Sequence, residues 1–242
     1  MSSVLLPVVA VQAMWKRHRT VAIPVADGPA SGVVPGRDDL RPLRVVVLGD
    51  SVAAGYGVAT HDEGFGGSLA RDLAERTGRP VAWSAVGRYG ATSRRIRHRI
   101  LPLIVERADV AVLLAGPNDV LGDRPPQEWA EHLGVIVDDL ARRAEQVMVA
   151  GIPPFDHLPC MPRILGRHLA RRAVVLDRAA RQVCAERPSV TWVDGELLLP
   201  FVPEYFAADG FHPSAPGYRR WAAAVAGAIP ATAGLHRSDR SG

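Results

Sequence analysis

The sequence predicts an α/β domain in which helices cover both faces of a parallel sheet. Short aliphatic runs alternate with segments whose apolar residues recur at helical spacing. Three of those runs end in glycine-led turns, Gly49-Asp50-Ser51, Gly87-Arg88-Tyr89-Gly90 and Gly116-Pro117-Asn118-Asp119. At 242 residues, 48% of them hydrophobic and 22% charged, the chain has room for one large domain with a sizeable core.

The elements follow in order. Residues 1–42 form an apolar and basic segment plus a linker, because residues 24–41 are rich in Gly, Pro and Asp. Residues 43–229 form the domain. Its first strand is 43–48, a β-branched run that suits a buried parallel strand. Phe65, Leu69 and Leu73 mark a helix that stops near Gly78. Residues 81–86 are a second strand, followed by a helical stretch over about 93–105 that Pro102 disturbs. Residues 110–115 are a third strand. Trp129, Leu133, Ile136, Val137 and Leu140 then form the buried stripe of a helix. Residues 147–152 are the fourth strand, and the loop 154–168 carries three prolines. Leu169, Ala173, Leu176, Ala180 and Val183 mark another helix, 190–193 the fifth strand, and 218–229 the last helix. Residues 230–242, rich in Gly, Ser and Arg, have little to bury and are expected to be disordered.

Composition excludes some chemistries. Lys16 is the only lysine and lies outside the candidate core, so a Walker-type phosphate loop, a pyridoxal Schiff base and a Ser-Lys dyad are not expected. The net charge of +4 comes from arginines spread over helices. The densest run, residues 94–99, reads as a solvated helix face with salt bridges, and nucleic acid is not an expected partner. Cys160 and Cys184 cannot build a disulfide framework; free buried thiols suit a cytoplasmic protein.

The N-terminus leaves alternatives open. Residues 4–14 are apolar but too few to span a bilayer as a helix, and the basic cluster, residues 15–19, follows them rather than preceding them as in a secretory signal. The readings are a helix docked on the domain, peripheral membrane contact through residues 4–19, and export with cleavage near Val11-Gln12-Ala13.

In a parallel sheet of this kind ligands bind at the carboxyl ends of the strands. Ser51 follows the first strand, Gly90 the second and Asn118 the third, while Asp209 and His212 follow the fifth. All five therefore share one rim. A serine nucleophile needs a base, and the base needs an orienting carboxylate; His212 and Asp209, three apart in a turn-prone stretch, fit those roles. The backbone amides of Ser51 and Gly90 and the side-chain amide of Asn118 can serve as oxyanion donors. Each piece alone has an ordinary structural explanation as a cap or turn. Asp119 is read as a brace for the Asn118 loop and Asp50 as a cap. The other seven histidines fall in loops, polar helix positions or near the termini, without metal-ligand spacing.

With these residues assembled, residues 43–229 resemble the SGNH hydrolases, the GDSL esterase/lipase family. Gly49-Asp50-Ser51 matches the nucleophile block, Gly90 the second block, Gly116-x-Asn118-Asp119 the third and Asp209-x-x-His212 the last. The resemblance implies a flavodoxin-like three-layer α/β/α sandwich with a five-stranded parallel sheet. It also implies no metal or organic cofactor, with Ser51 as nucleophile, His212 as base and Asp209 as its partner. Ala85 and Tyr89 stand where many relatives carry Asn and Ser, so Arg88 and Tyr89 are expected to shape the acyl or leaving-group side. The implied activity is hydrolysis of a small-molecule acyl ester, lysophospholipid- and thioester-like substrates included. A carbohydrate O-acetyl esterase and a non-catalytic binding module on the same fold are the alternatives.

Overall fold

The computed structural model describes residues 21–229. The expectations for the N-terminal apolar and basic stretch and for the tail beyond residue 229 lie outside the described residues.

Six strands form one mixed sheet in the order β1-β3-β2-β4-β5-β6. They are β1 (Ser31–Val34), β2 (Leu43–Gly49), β3 (Val81–Gly87), β4 (Ala108–Leu114), β5 (Ala144–Ala150) and β6 (Val190–Val193). β2 through β6 run parallel, and β1 pairs antiparallel with β3, Ser31 opposite Ser84 and Val34 opposite Val81. The five parallel strands are those the sequence predicts. The sixth corrects the expectation of a five-stranded sheet and of a linker over 24–41. An edge strand bonds through backbone that every residue offers, so four residues suffice without a buried apolar run.

Period-two alternation divides the core into two layers. Val46 and Leu48 of β2 join Ala111 and Leu113 of β4 on one face, while Val45, Val47, Val110 and Val112 point to the other. The first face is covered by residues 93–104, by α4 (Pro126–Ala141) and by α5 (Arg163–Ala185); the second by α1 (Phe65–Thr77) and α6 (Ala215–Ala228). Trp129 is buried in the first layer, where its indole N–H donates to Leu176 O of α5 at 3.0 Å.

The helical stretch after β3 is a single α turn, α2 (Ser93–Arg95), that widens into a π-helical segment, Ile96–Ile100, and tightens into a 3₁₀ turn, Leu101–Leu103. Pro102 has no amide to donate back up the helix, which accounts for the loss of α geometry. A short helix, α3 (Pro117–Leu121), follows β4. α5 begins at Arg163, earlier than its apolar stripe suggests, so the proline-bearing loop is shorter than expected and holds a 3₁₀ turn at Phe155–His157.

Strand β2 sits between β3 and β4, which leave it on opposite sides. The carboxyl ends of β2 and β4 are therefore a topological switch point, where α/β sheets open a crevice.

Candidate active site

The loop leaving β2 carries Ser51 to that crevice. Its turn is closed by Ala54 N donating to Asp50 O at 3.1 Å and Tyr56 N donating to Ser51 O at 3.1 Å. Asp50 is buried, and its Oδ1 accepts from Val52 N at 2.9 Å, so the carboxylate caps its own turn as expected. Burial pushes its carboxyl up to about 6, against the opposing pull of the Val52 amide and of His212.

His212 is brought in by the loop before α6. Ser51 Oγ lies 2.9 Å from His212 Nε2, and Asp209 Oδ2 lies 2.6 Å from His212 Nδ1. Asp209 Oδ1 also accepts from the amides of Phe211 at 2.9 Å and His212 at 3.0 Å. The carboxylate thus orients the ring and closes its own turn. The tautomer that satisfies both ring contacts has Nδ1–H donating to Asp209 and Nε2 accepting from Ser51 Oγ–H. Burial raises the Asp209 carboxyl, but the hydrogen bonds from His212 and the two amides outweigh it and leave it below the ordinary value.

Gly90 is the third residue of a hydrogen-bonded turn in which Ala91 N donates to Arg88 O at 3.1 Å. Its φ is +66°, and a Cβ there would meet nothing within 4 Å. Glycine is therefore favoured by the backbone conformation and not by any neighbour that a Cβ would strike. At Gly87 the reason is contact: a Cβ would sit 2.3 Å from Ala54 N in the Ser51 loop. Among the described residues neither Ser51 N nor Gly90 N has an acceptor.

Asn118, in the first turn of α3, completes the rim. Its Nδ2 donates to Ala91 O at 3.1 Å and, at a longer 3.4 Å, to Asp50 Oδ2. Both amide hydrogens are engaged, so Asn118 can meet a developing oxyanion only by releasing the longer bond. Asp119, 0% exposed, does not brace the Asn118 loop alone. Its Oδ1 accepts from Ser93 Oγ at 2.7 Å and its Oδ2 from Ser93 N at 2.8 Å, which ties the β4 loop to the β3 loop. Arg124 Nε donates to the same carboxylate at 3.3 Å.

The structure thus brings all five predicted residues, Ser51, Gly90, Asn118, Asp209 and His212, to one rim. Two others at the site, Tyr218 and Tyr56, carried no signal in the sequence, whereas Tyr89 is singled out there. Tyr218 of α6 directs its hydroxyl to Tyr56 O at 2.7 Å and Val52 O at 3.2 Å, pinning the Ser51 loop from below. Tyr56 and Tyr89 stack with ring centroids 4.9 Å apart, and both rings flank His212, at 5.6 and 6.1 Å. Away from the rim, His132 departs from its polar assignment: it is buried, with Nδ1 3.1 Å from Arg97 Nη1 and Nε2 3.6 Å from Glu128 Oε1. Among the described residues no group of three or more His, Cys, Asp or Glu is placed to hold a metal ion.

This chemistry-bearing rim falls inside a match to the GDSL-like lipase/acylhydrolase family over residues 47–220. A GDSL-like esterase of Mycobacterium tuberculosis is 33% identical over 182 residues, covering 73% of this chain; the chain spans 58% of that relative's length. Among solved structures, TesA superposes with a TM-score of 0.59 at 23% identity, covering 75% of this chain and 95% of its own. The acetylxylan esterase Axe2 of Geobacillus stearothermophilus gives 0.56 at 18% identity, covering 75% and 91%. At these identities the structural likeness is one of fold.

Proposed function

The chain belongs to the GDSL-like lipase/acylhydrolase family, and from that premise we propose that it hydrolyses carboxylic esters through an acyl-serine intermediate. The observation that carries this reading is the hydrogen-bonded chain Asp209–His212–Ser51, at 2.6 and 2.9 Å, on the same rim as the amides of Ser51 and Gly90, which have no acceptor among the described residues.

Ser51 Oγ attacks the ester carbonyl carbon as its proton passes to His212 Nε2. Asp209 stabilises the imidazolium that forms and keeps the ring in register. The carbonyl oxygen, now anionic, receives the amides of Ser51 and Gly90, and then Asn118 as its long bond to Asp50 yields. Collapse breaks the bond to the alcohol, which takes the proton back from His212. Water then attacks the acyl-serine, giving its proton to His212, and the acid leaves as that proton returns to Ser51 Oγ.

Hydrolysis of a p-nitrophenyl ester series from acetate to palmitate, against Ser51→Ala, tests the reading. Turnover that disappears in the variant is the expected result, and the best chain length defines the acyl preference. Turnover confined to acetate assigns the acetyl-ester alternative. Equal rates in both proteins overturn the serine mechanism.

A further inference from the structure

Ser51 and His212 stand on loops 161 positions apart, so their 2.9 Å contact depends on how those two loops are seated against each other. The base loop runs straight into α6. Two residues after His212, Ser214 caps that helix: its Oγ accepts from Gly217 N at 3.3 Å and its carbonyl from Tyr218 N at 2.8 Å. The helix itself is firmly held. Tyr218 and Trp221, three apart, share its buried face, and Trp221 meets Phe65 of α1 edge-on with ring centroids 6.0 Å apart.

The nucleophile loop is tied to the same helix through Tyr56. Tyr56 N donates to Ser51 O at 3.1 Å, and the Tyr56 ring lies 5.6 Å from that of His212. Among the described residues the Tyr218 hydroxyl, at 2.7 Å, is the one donor to Tyr56 O. Val52 O, 3.2 Å from the same hydroxyl, also receives Gly55 N at 3.2 Å. A phenol has a single hydrogen, so the shorter bond to Tyr56 is the main one. Burial, with the Asp50 and Asp209 carboxylates nearby, pushes the Tyr218 phenol well above its usual value and keeps that hydrogen in place. One residue beyond Tyr56 and one beyond His212 the loops touch directly, since a Cβ on Gly57 would sit 2.2 Å from Pro213 O.

We propose that Tyr218 is a positioning residue for the reaction: by holding Tyr56 O it fixes the Ser51 loop on the helix that carries the His212 loop, and so sets the approach of Ser51 Oγ to His212 Nε2. This rests on the ester-hydrolase reading. Without the hydroxyl the turn keeps its own bonds, Ala54 N to Asp50 O and Tyr56 N to Ser51 O, so it stays formed but shifts as a unit against α6. A displacement of about 1 Å at reacting groups costs up to about 10²-fold in rate. His212 serves acylation and deacylation alike, so both steps slow together and KM changes little.

The test compares Tyr218→Phe with Val225→Ala, a buried position two turns further along α6 that has no part in the site. Steady-state hydrolysis of p-nitrophenyl acetate, capture of Ser51 by a short-chain fluorophosphonate and thermal melts are measured on both, with rates taken well below each melting temperature. In the capture an Oγ–P bond forms as fluoride leaves, and the Oγ proton passes to His212. Tyr218→Phe is expected to lose about 10- to 10²-fold in kcat, with KM within about twofold, and to slow capture by the same factor. Val225→Ala is expected to melt earlier yet keep both rates. Rates for Tyr218→Phe within about twofold of wild type, or an equal loss of both rates in Val225→Ala, overturn the positioning role and leave the ester reading standing. A wild type that is captured but turns over no ester overturns the ester reading instead, and the capture rates of the two variants then decide the role of Tyr218. A wild type that does neither overturns both.

Discussion

Asp119 holds Ser93 twice, with Oδ1 2.7 Å from its hydroxyl and Oδ2 2.8 Å from its amide, across 26 residues of sequence. This clamp fixes the loop that offers Gly90 against the loop that offers Asn118. Burial raises the Asp119 carboxyl, and the Ser93 bonds and Arg124 oppose that rise, so the carboxylate depends on these donors.

Asp119→Asn is therefore expected to lower kcat by up to about 10²-fold with KM for a short ester nearly unchanged, because misplacing oxyanion donors by about 1 Å has that effect. One amide hydrogen of the new side chain would face a Ser93 donor. Ser93→Ala should lower kcat less, since the backbone bond survives. Steady-state kinetics on both variants, paired with thermal melts, check this. A loss of stability with an unchanged kcat would make the clamp merely structural.

Asn118→Ala is expected to reduce kcat by about 10²–10³-fold, the usual effect of removing one oxyanion donor. It also removes the bonds to Ala91 O and Asp50 Oδ2, which lowers the melting temperature. A kcat within twofold of wild type, where twofold is about 0.4 kcal/mol, would show that the longer bond to Asp50 never yields.

The pH dependence of stability has a defined sign. Burial raises the Asp177 carboxyl to about 7 and that of Asp50 to about 6, both from an ordinary value of 3.8. Between those limits the native state binds more protons than the unfolded state, so stability falls as pH rises from about 4 to 7. Asp209, held below its ordinary value, acts in the opposite sense and only at more acid pH. Asp177→Asn keeps an oxygen for the Ile152 amide, now 3.1 Å away, and should flatten the decline. Melting temperatures of both proteins from pH 4 to 8 decide it (the range spans the window set by about one unit beyond the upper pKa); parallel curves would contradict the assignment.

Thiol chemistry separates the two cysteines. Cys184 is buried at the end of α5, and burial pushes its thiol up to about 12, whereas Cys160 is only half-buried. An aromatic disulfide reagent at neutral pH should titrate Cys160 in the folded protein and Cys184 only after unfolding, because the thiolate is the reactive form. Equal rates at both sites in the folded protein would contradict this. The sequence reading of two buried thiols holds for Cys184 alone.

The sequence by itself determined the five parallel strands, the covering helices and the shared rim of Ser51, Gly90, Asn118, Asp209 and His212. Strand and helix signals are local properties, written in continuous aliphatic runs such as Val45–Val46–Val47 and in stripes such as Leu133–Ile136–Val137–Leu140. Parallel connectivity then places every strand-ending loop on one side. Tertiary structure alone decided the antiparallel β1, whose backbone pairing needs no sequence signal. It also decided which rim residues meet: Ser51 with His212 across 161 positions, Tyr218 with Tyr56 across 162, and Ser93 with Asp119. Such contacts follow from how helices and loops pack over the sheet, and pairwise distances at that separation are not encoded in local periodicity. The burial that lifts Asp50 and Asp177 has the same origin, since desolvation belongs to the packed interior and not to the residue type.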